Sequence, residues 1–446
     1  MDWFNNRRLF ELIGQVPPTE SEAAYHRQLK ESAKVVRLRQ NALRDNRGGQ
    51  GISFMRTFFL LLLSLVVAGV LLSRPLRNAR GWRATVTPLA SIIGSGFLVV
   101  APVLGHLLGR YAILGMVLIV SIALAVGAVM RFNIRCLERG TFDPRRRWLE
   151  QAANLVLSLA YVISVAFYLR LFSAFALRPF GLEQTLWPDV LTTLVLVFIG
   201  GVGWWRGLRA LESIEEYSVS IKLAVITALL AGLVAHDLHT GFDLSAVHAG
   251  VSDPWEIARV LAGLLLVVQG FETSRYLGAE YDAGLRVRSM RWAQWLSGVI
   301  YLVFVVLVTP LLGGIDGGRV DETAVIKLAA AAAWVLGPML VLAALMSQFS
   351  AAVADTMGAG GLVREETRGR LSDRQAYPLL ALFAIILVWR ADLFEIVSLA
   401  SRAFAFYYLL QTLLALRFAS GWRQYLGFGL VAILLVFVVL FGKAVG

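Results

Sequence analysis

The sequence predicts an all-α polytopic membrane protein. Three observations carry this: a composition too apolar for a soluble fold, repeated apolar runs of membrane-spanning length, and basic residues sorted into alternate connectors. Of the 446 residues, 58% are hydrophobic and 16% are charged; soluble domains carry ~25% charged residues. Such a chain has too little polar surface to cover a water-exposed core, which excludes an ordinary soluble enzyme and a disordered chain. The single cysteine, Cys136, excludes a disulfide within the chain and a cysteine-cluster metal site.

A helix crosses ~30 Å of hydrocarbon with about 20 apolar residues. Twelve segments are candidates: 57–73, 88–108, 112–130, 150–177, 188–204, 217–235, 257–281, 292–313, 329–361, 376–389, 393–416 and 424–442. They are continuous apolar runs, without the ten-residue alternation of a membrane barrel. The connector 131–147 holds six arginines against Glu138 and Asp143, and 282–291 holds Arg286, Arg288 and Arg291 against Asp282. Segments 364–374 and 417–423 are also net basic, whereas 235–256 has no Lys or Arg and carries Asp237, Asp243, Asp253 and Glu256. By the positive-inside rule the first group is cytoplasmic, 88–108 runs from inside to outside, and the C-terminus lies outside. The net charge of +12 therefore reports membrane sidedness and predicts no nucleic-acid partner.

The tail 1–56 is polar and basic, with Leu29, Val36 and Leu43 seven residues apart in a candidate amphipathic helix, which makes it a candidate for binding a protein partner. If 57–73 spans, this tail and the basic linker 74–83 lie on opposite sides; the reading adopted is a span with the tail outside. No apolar signal-peptide core occurs in 1–20.

Two helices carry interruptions. Segment 88–108 contains Ile93-Gly94-Ser95-Gly96-Phe97 and then Pro102. Glycine weakens a helix by ~1 kcal/mol against alanine, so the pattern marks either close packing or a break. Segment 257–281 contains Gln269-Gly270-Phe271-Glu272 followed by Arg275. An ionisable residue inside a span is a functional candidate, the alternative being a local Glu272–Arg275 pair. Each segment opens a run of five spans, and paired interrupted helices at matching places of two halves point to an inverted-repeat transporter. The expected divisions are the tail 1–56, an extra helix and linker 57–87, repeats 88–238 and 239–416, and an additional helix in 417–446.

Gly94-Ser95-Gly96 with Phe97 and Pro102 resembles the first core helix of the amino acid–polyamine–organocation (APC) superfamily. Gly270-Phe271-Glu272, with Tyr276-Leu277 and Glu280 ahead of a basic stretch, resembles its sixth helix, and Leu211 to Val225 with Ile221-Lys222-Leu223 resembles its fifth. Pro102 lies one residue later than in the family pattern, and the usual proline after Glu280 is absent. The resemblance implies the leucine-transporter (LeuT) fold, a 5+5 inverted repeat here with one extra N-terminal and one extra C-terminal helix. It implies substrate held at Ile93, Gly94, Ser95, Gly96, Gln269, Gly270, Phe271 and Glu272. It also implies Lys222 in the place a sodium ion takes in other members.

Residue chemistry suggests more detail. Freed N–H groups at a break in 88–108 would favour an anionic group, and freed carbonyls near Gln269 and Gly270 a cation. Glu272 is a candidate partner for a substrate amine. Segment 329–361 carries a small-residue face with Ser347, Ser350 and Asp355, candidates for an ion site or for contact with Lys222. Lys222 itself either snorkels to the interface or serves as a proton carrier. His236, His239 and His248 read as a solvated loop cluster, and no HExxH, Walker A or GxSxG motif occurs. The expectation is a non-enzymatic, multi-pass transporter of the cytoplasmic (inner) membrane, without cofactor or metal site. It moves an amino acid, amine or related solute, with a proton preferred over sodium as coupling ion. The rival readings are a sodium-coupled or inorganic-cation carrier, and a transporter-like subunit or sensor.

Overall fold

The computed structural model describes residues 55–94, 96–138, 147–182, 185–245, 247–278, 280–314, 335–391 and 393–443. Ser95 and the expected tail helix lie outside these residues. The chain divides into two units, Met1–Phe59 and Leu60–Gly446; the description of the first begins at Met55.

The described residues are helical, with no strand among them. Helix α1 is Met55–Leu71. A single turn, Arg74–Arg77, leads into α2, Arg80–Ile92, and across a break into α3, Gly96–Leu108. There follow α4 (Ala112–Glu138), α5 (Arg147–Leu177), α6 (Trp187–Arg206) and α7 (Leu208–Thr240). Helix α8, Pro254–Leu264, runs into tight turns at Leu265–Val268 and Phe271–Tyr276. The chain continues through α9 (Ala283–Val308), α10 (Leu336–Glu366), α11 (Asp373–Val388), α12 (Leu393–Phe418) and α13 (Trp422–Phe441). Eight helices among the described residues are long and apolar enough to cross a membrane.

The charged ends of several helices reach further than their apolar stretches. Helix α7 begins at Leu208, nine residues before the expected 217, and α2 begins at Arg80, inside the expected linker. The reason is local pairing: Arg77 meets Glu216 at 3.4 Å, Arg83 meets Glu212 at 2.6 Å, and Tyr281 donates to Glu212 at 2.7 Å. Partnered charges let a helix continue past the hydrocarbon.

Helices α2, α4, α9 and the turn Phe271–Tyr276 pack as one group; α5 packs on α10 and α12, α6 on α11, and α7 on α10. Helix α13 lies outermost, against α12 and α8. The two interruptions face each other. Gly270 has φ +113°, and a methyl group there would sit 2.3 Å from Ser91 Oγ; a methyl group on Gly96 would sit 2.4 Å from Val267. Glycine is required at both places, for backbone conformation at the first and for close approach at both.

The ends of the bundle sort by charge. Glu138 at the end of α4 binds Arg286 of α9, joining the two basic connectors at one end. At the other end Gly250 N donates to His106 O at 2.7 Å.

Two outcomes are expected. Gly270→Ala should lower stability by at least about 2 kcal/mol, since it adds a disfavoured φ and a clash with Ser91; a shift in thermal unfolding in detergent measures it. On a Cys136→Ser background, Arg288→Cys and Thr240→Cys should react with an impermeant thiol reagent from opposite sides of the membrane.

Candidate functional site

Ending a helix inside hydrocarbon leaves its last carbonyls without partners, and each needs a donor. At the end of α2 these donors come from three other helices. Lys222 of α7 is fully buried, and its Nζ donates to Ala90 O at 2.9 Å, Ile93 O at 2.7 Å and Ser350 Oγ at 2.9 Å. Ser347 of α10 donates to the carbonyl pair Ile93 O and Gly94 O, the latter at 3.0 Å. Tyr301 of α9 places its hydroxyl 3.1 Å from both Ile92 O and Val267 O, spanning the two interrupted helices. The three protons of the ammonium thus have three acceptors. A cation at a helix C-terminus also meets the negative end of the helix dipole.

Lys222 therefore does not snorkel. Nor does it pair with Asp355, whose oxygens accept from Ser91 Oγ at 2.6 Å and from Ser164 Oγ. That carboxylate ties α2 to α5 and α10. The backbone groups that side chains hold at this break are the carbonyls of the α2 C-terminus, on the side facing α7 and α10; the N–H groups expected from the sequence belong to the start of α3 at Gly96.

At the second interruption Glu272 is fully buried. Its Oε2 accepts from Gly270 N at 3.0 Å and from Tyr408 OH at 2.5 Å. Its Oε1 has no partner among the described residues. Phe271 stacks on Tyr408 with ring centroids 5.3 Å apart, and Gln269 Nε2 donates to Tyr168 OH at 3.3 Å. The alternative of a Glu272–Arg275 pair does not form. Arg275 turns towards the basic end, where it donates to Glu150 at 2.6 Å and to Gln411. Residues three apart share a face in a 3-10 turn, but each side chain here is taken by another helix, Glu272 by Tyr408 of α12 and Arg275 by Glu150 of α5.

Of the residues expected from sequence, Gly94, Ile93, Lys222, Ser347 and Ser350 meet at the first break. Gln269, Gly270, Phe271 and Glu272 form the second, and Gly96 packs on Val267. Asp355 lies between the breaks through Ser91, which also touches Gly270. Sequence reasoning missed Ser91, Ser164, Tyr168, Tyr301 and Tyr408. It also missed Gln348 of α10, fully buried with both amide atoms unpartnered among the described residues. A polar amide inside a span was the readable signal for Gln348; the tyrosines gave none. No cluster of metal-ligating side chains occurs among the described residues.

Tyr301→Phe removes the donor shared by two buried carbonyls and should destabilise the protein by about 1–3 kcal/mol. Thermal unfolding of the purified variant measures the loss.

A family model described as APC superfamily transporter matches residues 74–442. An uncharacterized protein of Aquifex aeolicus (strain VF5) is 47% identical over 386 residues, 84% of this chain and 94% of that one. Among solved structures, MhsT in complex with L-phenylalanine superposes with a TM-score of 0.58 at 12% identity, over 81% of this chain and 98% of that one. A Na+-coupled sialic acid symporter in a substrate-bound outward-open state gives 0.53 at 14% identity, over 88% and 98%. A manganese transporter of Eremococcus coleocola gives 0.52 at 14%, over 81% and 87%. With paired interrupted helices, these helical neighbours and a family match over most of its length, the chain belongs to the APC superfamily of transporters and has the LeuT fold.

Proposed function

We propose that this transporter moves an amino acid, amine or related small solute by alternating access, and that Lys222 couples the movement to a proton. The observation that carries this reading is the oxygen cage around Lys222: Ala90 O, Ile93 O and Ser350 Oγ at 2.7–2.9 Å from its nitrogen. Backbone and hydroxyl oxygens at the end of a broken helix are the ligands a hard cation such as sodium requires. Here a tethered ammonium takes that position. Losing its proton removes the charge and one donor at the end of α2, so protonation and the seating of that helix are linked.

The solute site proposed lies between the breaks. Glu272 Oε1 is a buried acceptor without a protein donor, which suits a substrate amine. Phe271 over Tyr408 supplies an apolar wall. A cavity of about 340 Å³ at the basic end extends to Tyr276 and Met357, two residues beyond Asp355, and is the proposed route from that side. The positive-inside rule makes that side cytoplasmic in an inner membrane. The two halves, 88–238 and 239–416, are the proposed repeats.

Uptake of a radiolabelled amino-acid mixture into proteoliposomes under an imposed pH gradient, with and without sodium, tests the reading. The pH gradient should drive accumulation, and Lys222→Ala should abolish it while the protein remains in the membrane. Sodium-driven uptake that ignores the pH gradient and survives Lys222→Ala would move the assignment to a sodium-coupled carrier, and manganese uptake would move it to an inorganic-cation carrier.

A further inference from the structure

A groove of about 940 Å³ runs along the outside of the bundle at the basic end, between Leu76–Thr85 and the first half of α9. Its mouth is cationic. Arg80 stands on one wall and Arg288 on the other, both exposed and neither in a salt bridge among the described residues. Neighbouring arginines at this end are committed: Arg77 to Glu216, Arg83 to Glu212, Arg286 to Glu138. The one acid on the groove wall, Asp282, caps α9 by accepting from Leu285 N at 3.0 Å. That backbone hydrogen bond holds its carboxyl below the usual range, so its charge serves the helix end.

Below the mouth the wall turns apolar. Trp292 (68% exposed), Trp295 (55%), Leu296 and Val299 lie on one face of α9 beneath Arg288. From Arg288 to Val299 this stripe covers roughly 16 Å along the helix, about half of a ~30 Å hydrocarbon core. Indole rings at the head of such a stripe mark the membrane interface.

We propose that this groove is a binding site for an anionic phospholipid, with the phosphate held between Arg80 and Arg288 and an acyl chain along Trp292, Trp295, Leu296 and Val299. Arg80 and Arg288 face a single carboxylate, Asp282, which interacts with Arg288. The mouth is therefore net positive and favours a headgroup with net negative charge over a zwitterionic one, whose own cation would face the guanidinium groups. The apolar stripe favours a lipid over a free phosphate.

The test is native mass spectrometry and thermal unfolding of the purified protein in a non-ionic detergent. Phosphatidylglycerol, phosphatidylcholine and soluble glycerol phosphate are added in turn. Phosphatidylglycerol should be retained and should raise the unfolding temperature more than phosphatidylcholine. Arg80→Gln with Arg288→Gln should weaken its binding roughly 30-fold, the conversion of about 1 kcal/mol per arginine at ~1.4 kcal/mol per decade. Arg80→Lys with Arg288→Lys should keep most of the preference, and Arg110→Gln at the opposite end should leave it unchanged. Equal retention of both phospholipids, or a preference that survives the double glutamine change, would overturn the proposal in favour of non-selective annular lipid. A shift produced by glycerol phosphate alone would reassign the mouth to a soluble phosphate.

Discussion

The carbonyl end of α2 is the constraint on which the centre of this protein depends. A helix that stops at Ile92 in hydrocarbon leaves Ala90, Ile92, Ile93 and Gly94 with carbonyls that water does not reach. A buried acceptor left unmade costs about 1–3 kcal/mol, so four of them would rival the stability of a whole domain. Lys222, Ser347 and Tyr301 meet these groups from α7, α10 and α9. Satisfying one broken helix thus fixes where three others must stand. The small face of α10 follows from the same requirement. Ala351 on that face is fully buried, and a methyl group on Gly94 would meet it at 3.4 Å, ordinary contact distance, so glycine and alanine let the two helices approach closely.

The two buried acids beside the breaks are treated differently. Asp355 receives hydroxyl donors on both oxygens, from Ser91 and Ser164, and so acts as a joint between α2, α5 and α10. Glu272 receives two donors on one oxygen, and among the described residues the other has none. A buried carboxylate with an open acceptor is costly unless something else occupies it. Asp355 closes packing, and Glu272 Oε1 is the open acceptor of the proposed solute site. The division fits the glycine at 270: its left-handed backbone turns the chain so that its own N–H points back at Glu272.

The fold was legible from composition and pattern. Apolar run lengths placed the spans, and Gly94-Ser95-Gly96 and Gln269-Gly270-Phe271-Glu272 placed the interruptions. Arginine counts sorted the connectors into two ends. What stayed illegible is pairing across the chain. Ser91 reaches Asp355 over 264 positions and Tyr301 reaches Ile92 over 209, and nothing local in the sequence marks either. Lys222 and Asp355 are opposite charges on helices that do pack together, so pairing them is the natural guess. It fails because hydroxyls stand nearer to the carboxylate and carbonyls nearer to the ammonium. The Glu272–Arg275 alternative fails because Tyr408 and Glu150, on other helices, draw the two side chains apart.

Ion pairs and hydrogen bonds hold both ends of the bundle. At the basic end, ion pairs join the interrupted segments to their neighbours, Arg83 of α2 to Glu212 of α7 and Arg275 to Glu150 of α5, and a further pair joins Arg286 of α9 to Glu138 of α4. Exposed pairs of this kind contribute about 0–1 kcal/mol each, whereas a pair as buried as Arg275–Glu150 is strongly destabilising to split, because one charge is left without its partner. At the other end, a single backbone hydrogen bond from Gly250 to His106 O joins the loop before α8 to the end of α3, and a methyl group on Gly109 would strike Ala249 N at 2.5 Å. That contact rests on shape and glycine, with no charge in it. Charge also serves that end, where Lys443 meets Glu256 at 2.5 Å and Arg170 meets Asp189 at 3.1 Å. At the basic end the charged cavity beside Arg275 is in place to hydrate those pairs when they part.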